Sequence, residues 1–495
     1  MANIKEFKEQ EIGSRTELVV RVQEIHQTTG PTLFNFYDGS GFIVGKSFAG
    51  GGIRAHPEIE TGDIVNIVMT LKEWNGKPEA AIVSISKVNE DEAEKFEKNI
   101  DNPFEKHKFI IKNNILDLLR DRMVNVATII KNAVMESRPI YLRHHADCDG
   151  YCGAIALERA IIKLIDNVHG DERAKRKFFK RMPSRTPFYD YSDATKDLSM
   201  AVEENAKFHT KEPLILLVDN GSTADDVLAI KKVKLYNLPV AVIDHHQPTD
   251  SENEYIDGHV NPHLVGGDSN ITAGMLSAEV AKFLDEKAEV VFLAALSGAG
   301  DRSQGEAMDE YLKKSGYERT ELRKIADVVD FEAFHLKYTE ARGIVDDLLG
   351  NDGEKQQKMV ELLYPEIQRR REIHIQTALN YVKLEDVGRF KVASINIEDV
   401  IHRGEYPPAG KVVGMLNDEL SKKYSNLISL GIAGDFITIR AVGDININSI
   451  VMHLQEIMPY AMPEGGGHDL AGTIKFVHAG KDEVLNYIRE TIRNA

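Results

Sequence analysis

Residues 139–165 read PIYLRHHADCDGYCGAIALERAIIKLI. This stretch opens with an apolar run, Pro139–His145, which predicts a buried strand that ends in histidines. A polar loop follows, and Gly153–Ile165 then shows the periodicity of an amphipathic helix. Strand, loop and helix in this order form the repeating unit of a parallel α/β sheet, so the stretch predicts an α/β fold.

Two further buried strands are predicted at Leu214–Val218 and Pro239–Ile243, with helices between them. Polar groups follow these strands, as they follow the first strand and a fourth apolar segment. The four segments are followed by HADCDG (145–150), DNG (219–221), DHH (244–246) and, after Ala294–Gly300, Asp301. Because ligands bind at the carboxyl ends of the strands in open parallel sheets, these groups are expected to meet in one crevice.

The groups gathered in this crevice are carboxylates and imidazoles. Carboxylates crowded together repel one another unless a cation lies between them. Mixed oxygen and imidazole ligands suit Mn²⁺, the expected ion, with Mg²⁺ as the alternative. Two such ions can activate a water, clamp a phosphate and stabilise the leaving oxygen, and phosphoryl transfer needs little else beyond positioning and charge. The pattern therefore predicts a two-metal phosphoesterase.

The ordered motifs resemble those of the DHH phosphoesterase superfamily and, within it, the RecJ-like nucleases of archaea. The matching segments are HADCDG, DNG, DHHQP (244–248), GDR (300–302) and GGGHDLAG (465–472). The resemblance spans Pro139 to the C-terminus, apart from residues 305–384. It implies a parallel-sheet DHH domain and a smaller α/β DHHA1 domain. Some archaeal members with an OB-like module associate with replication or repair factors, as GINS-associated and Hef-associated nucleases do.

The resemblance also implies roles for individual residues. One ion would be held by His145, Asp147 and Asp219, and the other by Asp149, Asp219, His245 and Asp301, so that Asp219 bridges. His246 would approach the substrate phosphate, and Asp244 would orient His245. The expected catalytic residues are Asp149, Asp244 and His246.

Two departures from related patterns narrow the assignment. Bacterial RecJ proteins usually have Asp where this chain has His145. The direction in which those proteins digest a strand is therefore not inferred for this chain. Family II pyrophosphatases place a His where this chain has Arg143, which disfavours a pyrophosphatase. The thiols of Cys148 and Cys152 are expected to be small core residues rather than a zinc site.

Substrate-holding groups are expected in the second half of the chain. The segment Gly465-Gly466-Gly467-His468 resembles the family's phosphate-binding motif, and it is expected to be a loop whose backbone N–H groups cradle an anion, with a helix terminus after it. Arg302, Arg403 and Lys411 are expected to face the same cleft. Ser269 and Thr272 are expected either to cap a helix or to touch substrate.

Residues 1–90 alternate in the manner of five short strands and predict a closed OB-like barrel. The expected strands are Glu17–Val22, Thr32–Tyr37, Gly41–Phe48, Asp63–Leu71 and Ala80–Ile85. Base stacking is expected from one or more of Phe34, Phe36, Tyr37 and Phe48, unless strand alternation turns them into the barrel core. The basic run at 173–185, with Phe178 and Phe179 interleaved, is a second candidate for tracking a nucleic-acid strand.

The composition limits the class of protein. The 495 residues carry a net charge of −17, with 42% hydrophobic and 28% charged residues and two cysteines. This balance predicts a globular protein of several domains in a reducing cytoplasm, without a membrane span or signal peptide. The expected domains are 1–90 (OB-like barrel), 91–137 (helical linker), 138–304 (DHH catalytic domain), 305–384 (helical connector or partner-docking region) and 385–495 (DHHA1 substrate-binding domain).

The sequence thus favours a manganese-dependent exonuclease on single-stranded DNA or RNA that acts in replication or repair. One alternative is a phosphodiesterase for short oligonucleotides or cyclic dinucleotides, which would need neither the barrel nor the basic run. The other is a non-catalytic scaffold resembling Cdc45, which the complete set of ligands disfavours. A helicase or replication factor is the expected protein partner, through residues 305–384, and self-association is left open.

Overall fold

The N-terminal part of the chain is a closed barrel. The computed structural model describes residues 3–74, 77–100, 107–169, 172–184, 186–208, 210–249, 254–340, 342–468 and 470–495. A short helix, α1 (Ile4–Lys8), precedes five strands: β1 (Arg15–Gln27), β2 (Thr32–Tyr37), β3 (Phe42–Ser47), β4 (Ile64–Trp74) and β5 (Lys77–Lys87). The strand order is β1-β2-β3-β5-β4, with β3 and β5 parallel. The expectation of an OB-like barrel is confirmed.

Three of the four aromatics expected to stack on bases are buried. Phe34 and Phe36 fill the barrel interior, with ring centroids 5.9 Å apart. Tyr37 lies on the other face of β2, but it packs with Phe42 into the core of the neighbouring domain. The prediction of base stacking is therefore wrong for these three residues, because both faces of β2 are covered. Phe48 is 68% exposed and remains a candidate.

The central sheet is parallel and holds the motif-bearing strands side by side. Its elements, after α2 (Glu90–Ile100) and α3 (Asn114–Met135), are β6 (Ile140–His144), α4 (Cys148–His169), α5 (Glu172–Phe178), β7 (Phe179–Pro183), α6 (Tyr191–Phe208), β8 (Leu214–Val218), α7 (Val227–Lys234), β9 (Val240–Ile243), β10 (Gly258–Val260), α8 (Ala273–Leu284) and α9 (Val291–Gly300). The order is β10-β9-β8-β6-β7, and every pair is parallel.

Helices cover both faces of this sheet, so its strands are continuous apolar runs rather than alternating ones. Every residue of β6, β8 and β9 is buried. These three strands are adjacent, which brings their carboxyl ends together. The sequence pattern missed two strands, β7 and β10. It also placed Asp301 after an apolar segment of undefined type, and that segment is a helix, α9.

Residues 305–384 are largely helical, as expected. The helices are α10 (Glu306–Ser315), α11 (Arg319–Leu336), α12 (Ile344–Asp346) and α13 (Gly353–Tyr381). Apolar residues of α11, such as Leu322 and Val328, belong to the same buried cluster as the core of the central sheet. This region therefore packs directly on helices α4 and α9. The domain boundaries given above stay a prediction.

The C-terminal part of the chain forms a second, mixed sheet. Its elements are β11 (Lys383–Val387), β12 (Phe390–Asn396), α14 (Ala409–Ser421), β13 (Leu427–Ile432), β14 (Phe436–Val442), α15 (Ile447–Ile457), β15 (Glu464–His468), β16 (Ala471–Lys475) and α16 (Lys481–Asn494). The order is β11-β12-β13-β14-β16-β15, so β15 lies at an edge. Within the described residues, no helix combines the length and the apolar character that crossing a bilayer requires.

Candidate metal centre and cleft

The first group of candidate ligands gathers where β6 and β8 end. The Nδ1 atom of His145 lies 2.9 Å from Asp147 Oδ2 and 3.3 Å from Asp219 Oδ2. Ligand atoms of these three residues all lie within 4.8 Å of one another. Burial lowers the pKa of His145, but Asp147 and Asp219 outweigh this effect and raise it well above its usual range. The loops thus bring together the set that the sequence proposed for one ion.

The second group surrounds the imidazole of His245, which follows β9. Its Nε2 atom lies 3.3 Å from Asp219 Oδ1, 3.4 Å from Asp301 Oδ2 and 3.6 Å from Asp149 Oδ2. Asp219 therefore turns one oxygen towards each group. It follows β8 in a left-handed backbone conformation, with φ of 57°.

These side chains fit divalent cations. Burial raises the pKa of Asp149 well above its usual range, and the carboxylates of Asp219 and Asp301 raise it further. Asp219 Oδ1 is buried and accepts no hydrogen bond of normal geometry from the described residues. Crowded acids and an unsatisfied buried oxygen are what a bound cation would relieve. The mixture of carboxylate and imidazole donors suits Mn²⁺ or Mg²⁺.

The N-terminus of α8 holds Asp149 in place. Its carboxylate accepts hydrogen bonds from the backbone N–H groups of Ala273, at 3.0 Å, and Gly274, at 2.8 Å, and from the hydroxyl of Ser297. A Cβ atom at Gly274 would lie 2.9 Å from Asp149 Oδ1 and 2.5 Å from Ser297 Cβ, so only glycine fits there. Thr272 was expected either to cap a helix or to touch substrate. Its side chain caps α8, where it accepts a hydrogen bond from Met275 N.

The expectation that Asp244 orients the imidazole of His245 is wrong. His245 Nδ1 donates instead to the carbonyl of Ser269, at 2.9 Å, and Nε2 faces the carboxylates. The side chain of Asp244 accepts from His246 Nδ1, at 2.8 Å, and from His245 N, at 2.7 Å. Each imidazole is thus fixed by its own acceptor, the arrangement typical of ligating or catalytic histidines. Ser269 supports His245 through its backbone.

Two of the three cations expected in the cleft form ion pairs with carboxylates. Arg302 is 70% exposed and lies 3.2 Å from Asp418 on α14. Lys411, also on α14, forms an ion pair with Asp330 on α11. Arg403 lies exposed in the turn before α14. The first two contacts join the C-terminal sheet domain to the loops and helices around the metal centre.

The glycine-rich segment is a strand and not a loop. Gly465, Gly466 and Gly467 lie in the edge strand β15, and strand β16 follows instead of a helix. The prediction that a helix terminus follows this segment is therefore wrong. A Cβ at Gly465, where φ is 126°, would lie 2.1 Å from the Thr473 carbonyl, so the pairing requires glycine. The side chain of His468 lies outside the described residues.

Glu464, the first residue of this edge strand, lies near the region that follows β8. Burial raises the pKa of Asp225, and the charge of Glu464 raises it further. Asp225 lies in the turn Ala224–Asp226, which follows the Asp219 loop.

Sequence reasoning missed Arg440, on β14. Burial lowers its pKa, Arg302 lowers it further and Asp418 opposes this. Arg440 therefore lies near enough to Arg302 and Asp418 for their charges to act on it. In the sequence, Arg440 is one cation in an alternating strand, ITIRAV, and no local pattern distinguishes it.

The basic run at 173–185 is divided between core and surface: Arg173, Arg176 and Lys177 are exposed, and Arg185 lies outside the described residues. Phe178 and Phe179 are core residues. Arg181 is fully buried and pairs with Glu158 at 2.7 Å, Glu340 at 2.8 Å and Asp346 at 2.9 Å. The two phenylalanines are therefore not part of a strand-tracking surface. Cys148 and Cys152 are buried in the same core, as expected.

Known proteins resemble this chain in sequence and in fold. The family model described as the DHH family, N-terminal domain, matches residues 139–296. An uncharacterized protein of Methanocaldococcus jannaschii is 37% identical over 535 residues, covering 99% of this chain and 70% of that protein. A solved DHH domain, described as from a member of the s1p family of ribosomal proteins, is 36% identical, with a TM-score of 0.76 over 81% of this chain and 98% of that one.

A more distant likeness concerns the fold alone. The structure of RecJ in complex with Mn²⁺ from Thermus thermophilus is 16% identical, with a TM-score of 0.54, and the match covers 80% of this chain and 56% of that chain.

Proposed function

Because this chain belongs to the DHH family, we propose that it is a metal-dependent phosphodiesterase that acts as an exonuclease on single-stranded DNA or RNA. The observation that carries the proposal is the meeting of six candidate ligands in two groups that share Asp219. A scaffold without activity has no need to keep both groups complete. This disfavours the scaffold alternative.

Each side chain has a proposed role. One ion would be held by His145, Asp147 and Asp219, and the other by Asp149, Asp219, His245 and Asp301. The ions would neutralise the phosphate, polarise its bonds and make a water nucleophilic near neutral pH. His246, held at Nδ1 by Asp244, presents Nε2, from which a proton can be given to a phosphate oxygen or to the leaving oxygen.

Manganese is the proposed ion, with magnesium as the alternative. The mixed donor set supports this choice. The similarly folded RecJ of Thermus thermophilus was solved with Mn²⁺.

The phosphate of the substrate would lie between the two sheets. Arg302 lies 3.2 Å from Asp418, and the charges of both act on Arg440, so we assign the two guanidinium groups to this space. Guanidinium groups bind phosphate oxygens through paired N–H donors. The unpaired edge of β15, with Gly465 to Gly467, offers backbone N–H groups without side chains in the way. Arg403 and Lys411 stay candidates at the same cleft.

The barrel supports the choice of a nucleic-acid strand as substrate. Among the aromatics proposed to stack, Phe48 is exposed and can meet a base. The phosphodiesterase for short oligonucleotides remains the second candidate, because the burial of Phe34, Phe36, Phe178, Phe179 and Arg181 removes part of the expected strand-tracking surface. Docking of a helicase or replication factor on residues 305–384 stays a prediction.

The test is cleavage of labelled single strands. The purified chain is incubated with Mn²⁺ and DNA or RNA strands labelled at the 5′ or the 3′ end. The expected result is release of mononucleotides, with the label pattern giving the direction of digestion. The double variant Asp149→Ala, Asp301→Ala is expected to release none.

The matched control is Asp268→Asn, which removes an exposed carboxylate close to Ser269 and outside both ligand groups. It is expected to cleave at the wild-type rate. Cleavage only of strands shorter than about five nucleotides, the scale of one oligonucleotide site, would move the assignment to the second candidate. Equal cleavage by wild type and the double variant would contradict the metal site.

A further inference from the structure

Asp226 is a fully buried carboxylate that belongs to neither ligand group. It ends the short turn Ala224–Asp226, in the loop after β8. Its Oδ1 atom accepts hydrogen bonds from Gly221 N, at 3.1 Å, and from Tyr189 N, at 2.5 Å. Its Oδ2 atom accepts from Thr223 N and from the Thr223 hydroxyl, both at 2.7 Å. Each oxygen thus accepts two hydrogen bonds, which fills the acceptor capacity of a carboxylate.

The loop that these bonds hold carries Asp219 in an unfavourable backbone conformation. Asp219 has a φ of 57°, and Gly221 has a φ of 98°. A residue with a side chain stays in the left-handed region only where the surrounding structure over-determines it. A Cβ at Gly221 would lie 2.8 Å from Leu217 Cδ1, so the turn also needs glycine there. The conformation that aims the bridging carboxylate therefore depends on anchors outside the turn.

These anchors lie on both sides of the turn. Before it, Asp219 N donates to the carbonyl of Ile243, at 2.9 Å, which fixes the end of β8 to β9. After it, the carboxylate of Asp226 holds the N–H groups of Gly221 and Thr223. Asp226 N donates back to the Thr223 carbonyl at 3.0 Å and closes a compact ring. Because Asp219 lies between the two anchors, a change of its backbone conformation has to strain or break one of them.

Asp226 is also tied to a rigid neighbour through Tyr189. This residue follows β7 and is fully buried, and its hydroxyl donates to Asp197 on α6, at 3.0 Å. Asp197 in turn pairs with Arg143 on β6, at 2.6 Å. The N–H group of Tyr189 therefore connects Asp226, and with it the loop after β8, to the framework of the central sheet.

We propose that Asp226 is a positioning residue of the metal centre, which holds the loop after β8 so that Asp219 turns one oxygen towards each ligand group. This inference rests on the two ions of the proposed function and not on its substrate. Because Asp219 belongs to both groups, loss of the Asp226 carboxylate weakens the binding of both ions together. Partners that orient a metal ligand typically change metal affinity or activity about 10–100-fold.

The first test reads the loop in the metal-free 495-residue chain. Burial raises the pKa of Asp226 to about 7, and the hydrogen bonds from Thr223 and Tyr189 oppose this rise. All measurements are therefore made at pH 8, where the carboxylate form predominates. Asp226→Asn keeps the size of the side chain, but its NH2 group turns a donor towards N–H groups. Hydrogen–deuterium exchange of residues 219–226 is expected to become about ten-fold faster, with residues 32–47 of the barrel unchanged.

The second test measures Mn²⁺ binding by equilibrium dialysis. Asp226→Asn is expected to bind both ions about 10–100-fold more weakly than wild type. The matched control is Glu279→Gln, which makes the same chemical change at a fully buried carboxylate on α8. Glu279 accepts from Ile110 N at 2.8 Å and from the Tyr311 hydroxyl at 2.6 Å. This control is expected to keep the Mn²⁺ affinity of wild type even where it unfolds at lower urea, which separates positioning from a general loss of stability.

A milder pair of variants decides the matter if Asp226→Asn fails to fold. Thr223→Val removes only the hydroxyl that donates to Asp226 Oδ2. It is expected to weaken Mn²⁺ binding about two- to ten-fold, the effect of one hydrogen bond. Thr223→Ser keeps a hydroxyl at this position and is expected to restore the affinity of wild type.

Wild-type Mn²⁺ affinity in Asp226→Asn, or an equal loss of affinity in Glu279→Gln, overturns the positioning role. Cleavage of labelled strands is measured on the same samples. Weaker Mn²⁺ binding in Asp226→Asn, beside a wild type that binds two ions and cleaves no strand, sustains the positioning role and refutes the proposed nuclease. Cleavage by wild type, with the same Mn²⁺ requirement in Asp226→Asn, refutes the positioning role and leaves the nuclease in place.

Discussion

Asp219 joins two imidazoles through its two carboxylate oxygens, with Oδ2 lying 3.3 Å from His145 Nδ1 and Oδ1 lying 3.3 Å from His245 Nε2. The residue therefore belongs to both ligand groups. Its left-handed backbone, directly after β8, aims the carboxylate between the ends of β6 and β9.

Removing this bridge is expected to abolish most of the activity. Asp219→Asn replaces one carboxylate oxygen by an NH2 group. The resulting amide is neutral and cannot serve as an anionic ligand to both ions. We expect a loss of kcat of about 1,000-fold, equivalent to about 4 kcal/mol of transition-state stabilisation, and fewer than two Mn²⁺ ions bound per chain by equilibrium dialysis. A variant that binds two ions and turns over within ten-fold of wild type would refute the bridge.

The pair formed by Arg302 and Asp418 predicts opposite effects of two substitutions. Asp418 lies against the guanidinium that we assign to substrate phosphate. Asp418→Asn is expected to lower KM about two- to five-fold, and Arg302→Ala to raise it about ten-fold, because a charge at the rim of a site acts mainly on binding. Exposed ion pairs contribute only ~0–1 kcal/mol, so the melting temperature should hardly change.

The control for this pair is Glu419→Gln, which makes the same change of charge at the next residue of α14. It is expected to leave KM unchanged. A KM that rises in Asp418→Asn would show that the carboxylate assists binding.

The carboxylate of Asp330 connects Lys411 with the start of α4, since it also accepts from Cys148 N at 2.9 Å. Asp330→Asn is expected to destabilise the protein by about 1–3 kcal/mol, because the pair is half-buried. It should also weaken Mn²⁺ binding about ten-fold, because Cys148 stands between Asp147 and Asp149. Urea unfolding and Mn²⁺ titration measure the two effects.

Lys411→Met separates this contact from a role in substrate binding. It leaves the bond between Asp330 and Cys148, so it is expected to lower stability without changing Mn²⁺ affinity. A KM raised about ten-fold in this variant would place Lys411 on the substrate, and an unchanged KM would limit Lys411 to its contact with Asp330.

The junction between barrel and central sheet predicts a pH dependence. Burial raises the pKa of Glu24, but His169 and His26 outweigh it and bring it down to about 2, from an ordinary 4.5. A carboxyl with a depressed pKa stabilises the fold above pH 4.5, and this contribution is lost as pH falls towards 2. Glu24→Gln is expected to cost about 1 kcal/mol at pH 6, after allowance for solvent screening, and less than half of that at pH 3.

Urea unfolding at both pH values measures the difference between Glu24→Gln and wild type. Glu17→Gln, exposed on the same strand, is the control and should show no such change. A difference that is equal at pH 6 and pH 3 would contradict the assigned ion pairs.

Much of the fold could be predicted from the sequence because its signals are local. Continuous apolar runs predicted β6, β8 and β9, and the polar residues after them predicted the ligand groups. Alternation predicted the barrel. It could not show that Tyr37, on the outer face of β2, is covered by another part of the chain, because that depends on domain packing.

The features that were missed depend on distant pairings. Arg302 meets Asp418 across 116 positions of sequence, and Arg440 is significant only because the folded chain brings Arg302 near it. The glycine run was expected to be a loop, because glycine favours turns. Pairing with β16 makes it a strand, with Gly465 so close to the Thr473 carbonyl that no side chain fits.

We propose that two divalent ions lie on either side of Asp219. Anomalous diffraction from crystals of the 495-residue chain grown with Mn²⁺ would locate them without relying on activity. We expect two manganese peaks, one among His145, Asp147 and Asp219 and one among Asp149, Asp219, His245 and Asp301. A single peak away from Asp219, or none at Mn²⁺ concentrations that support cleavage, would contradict it.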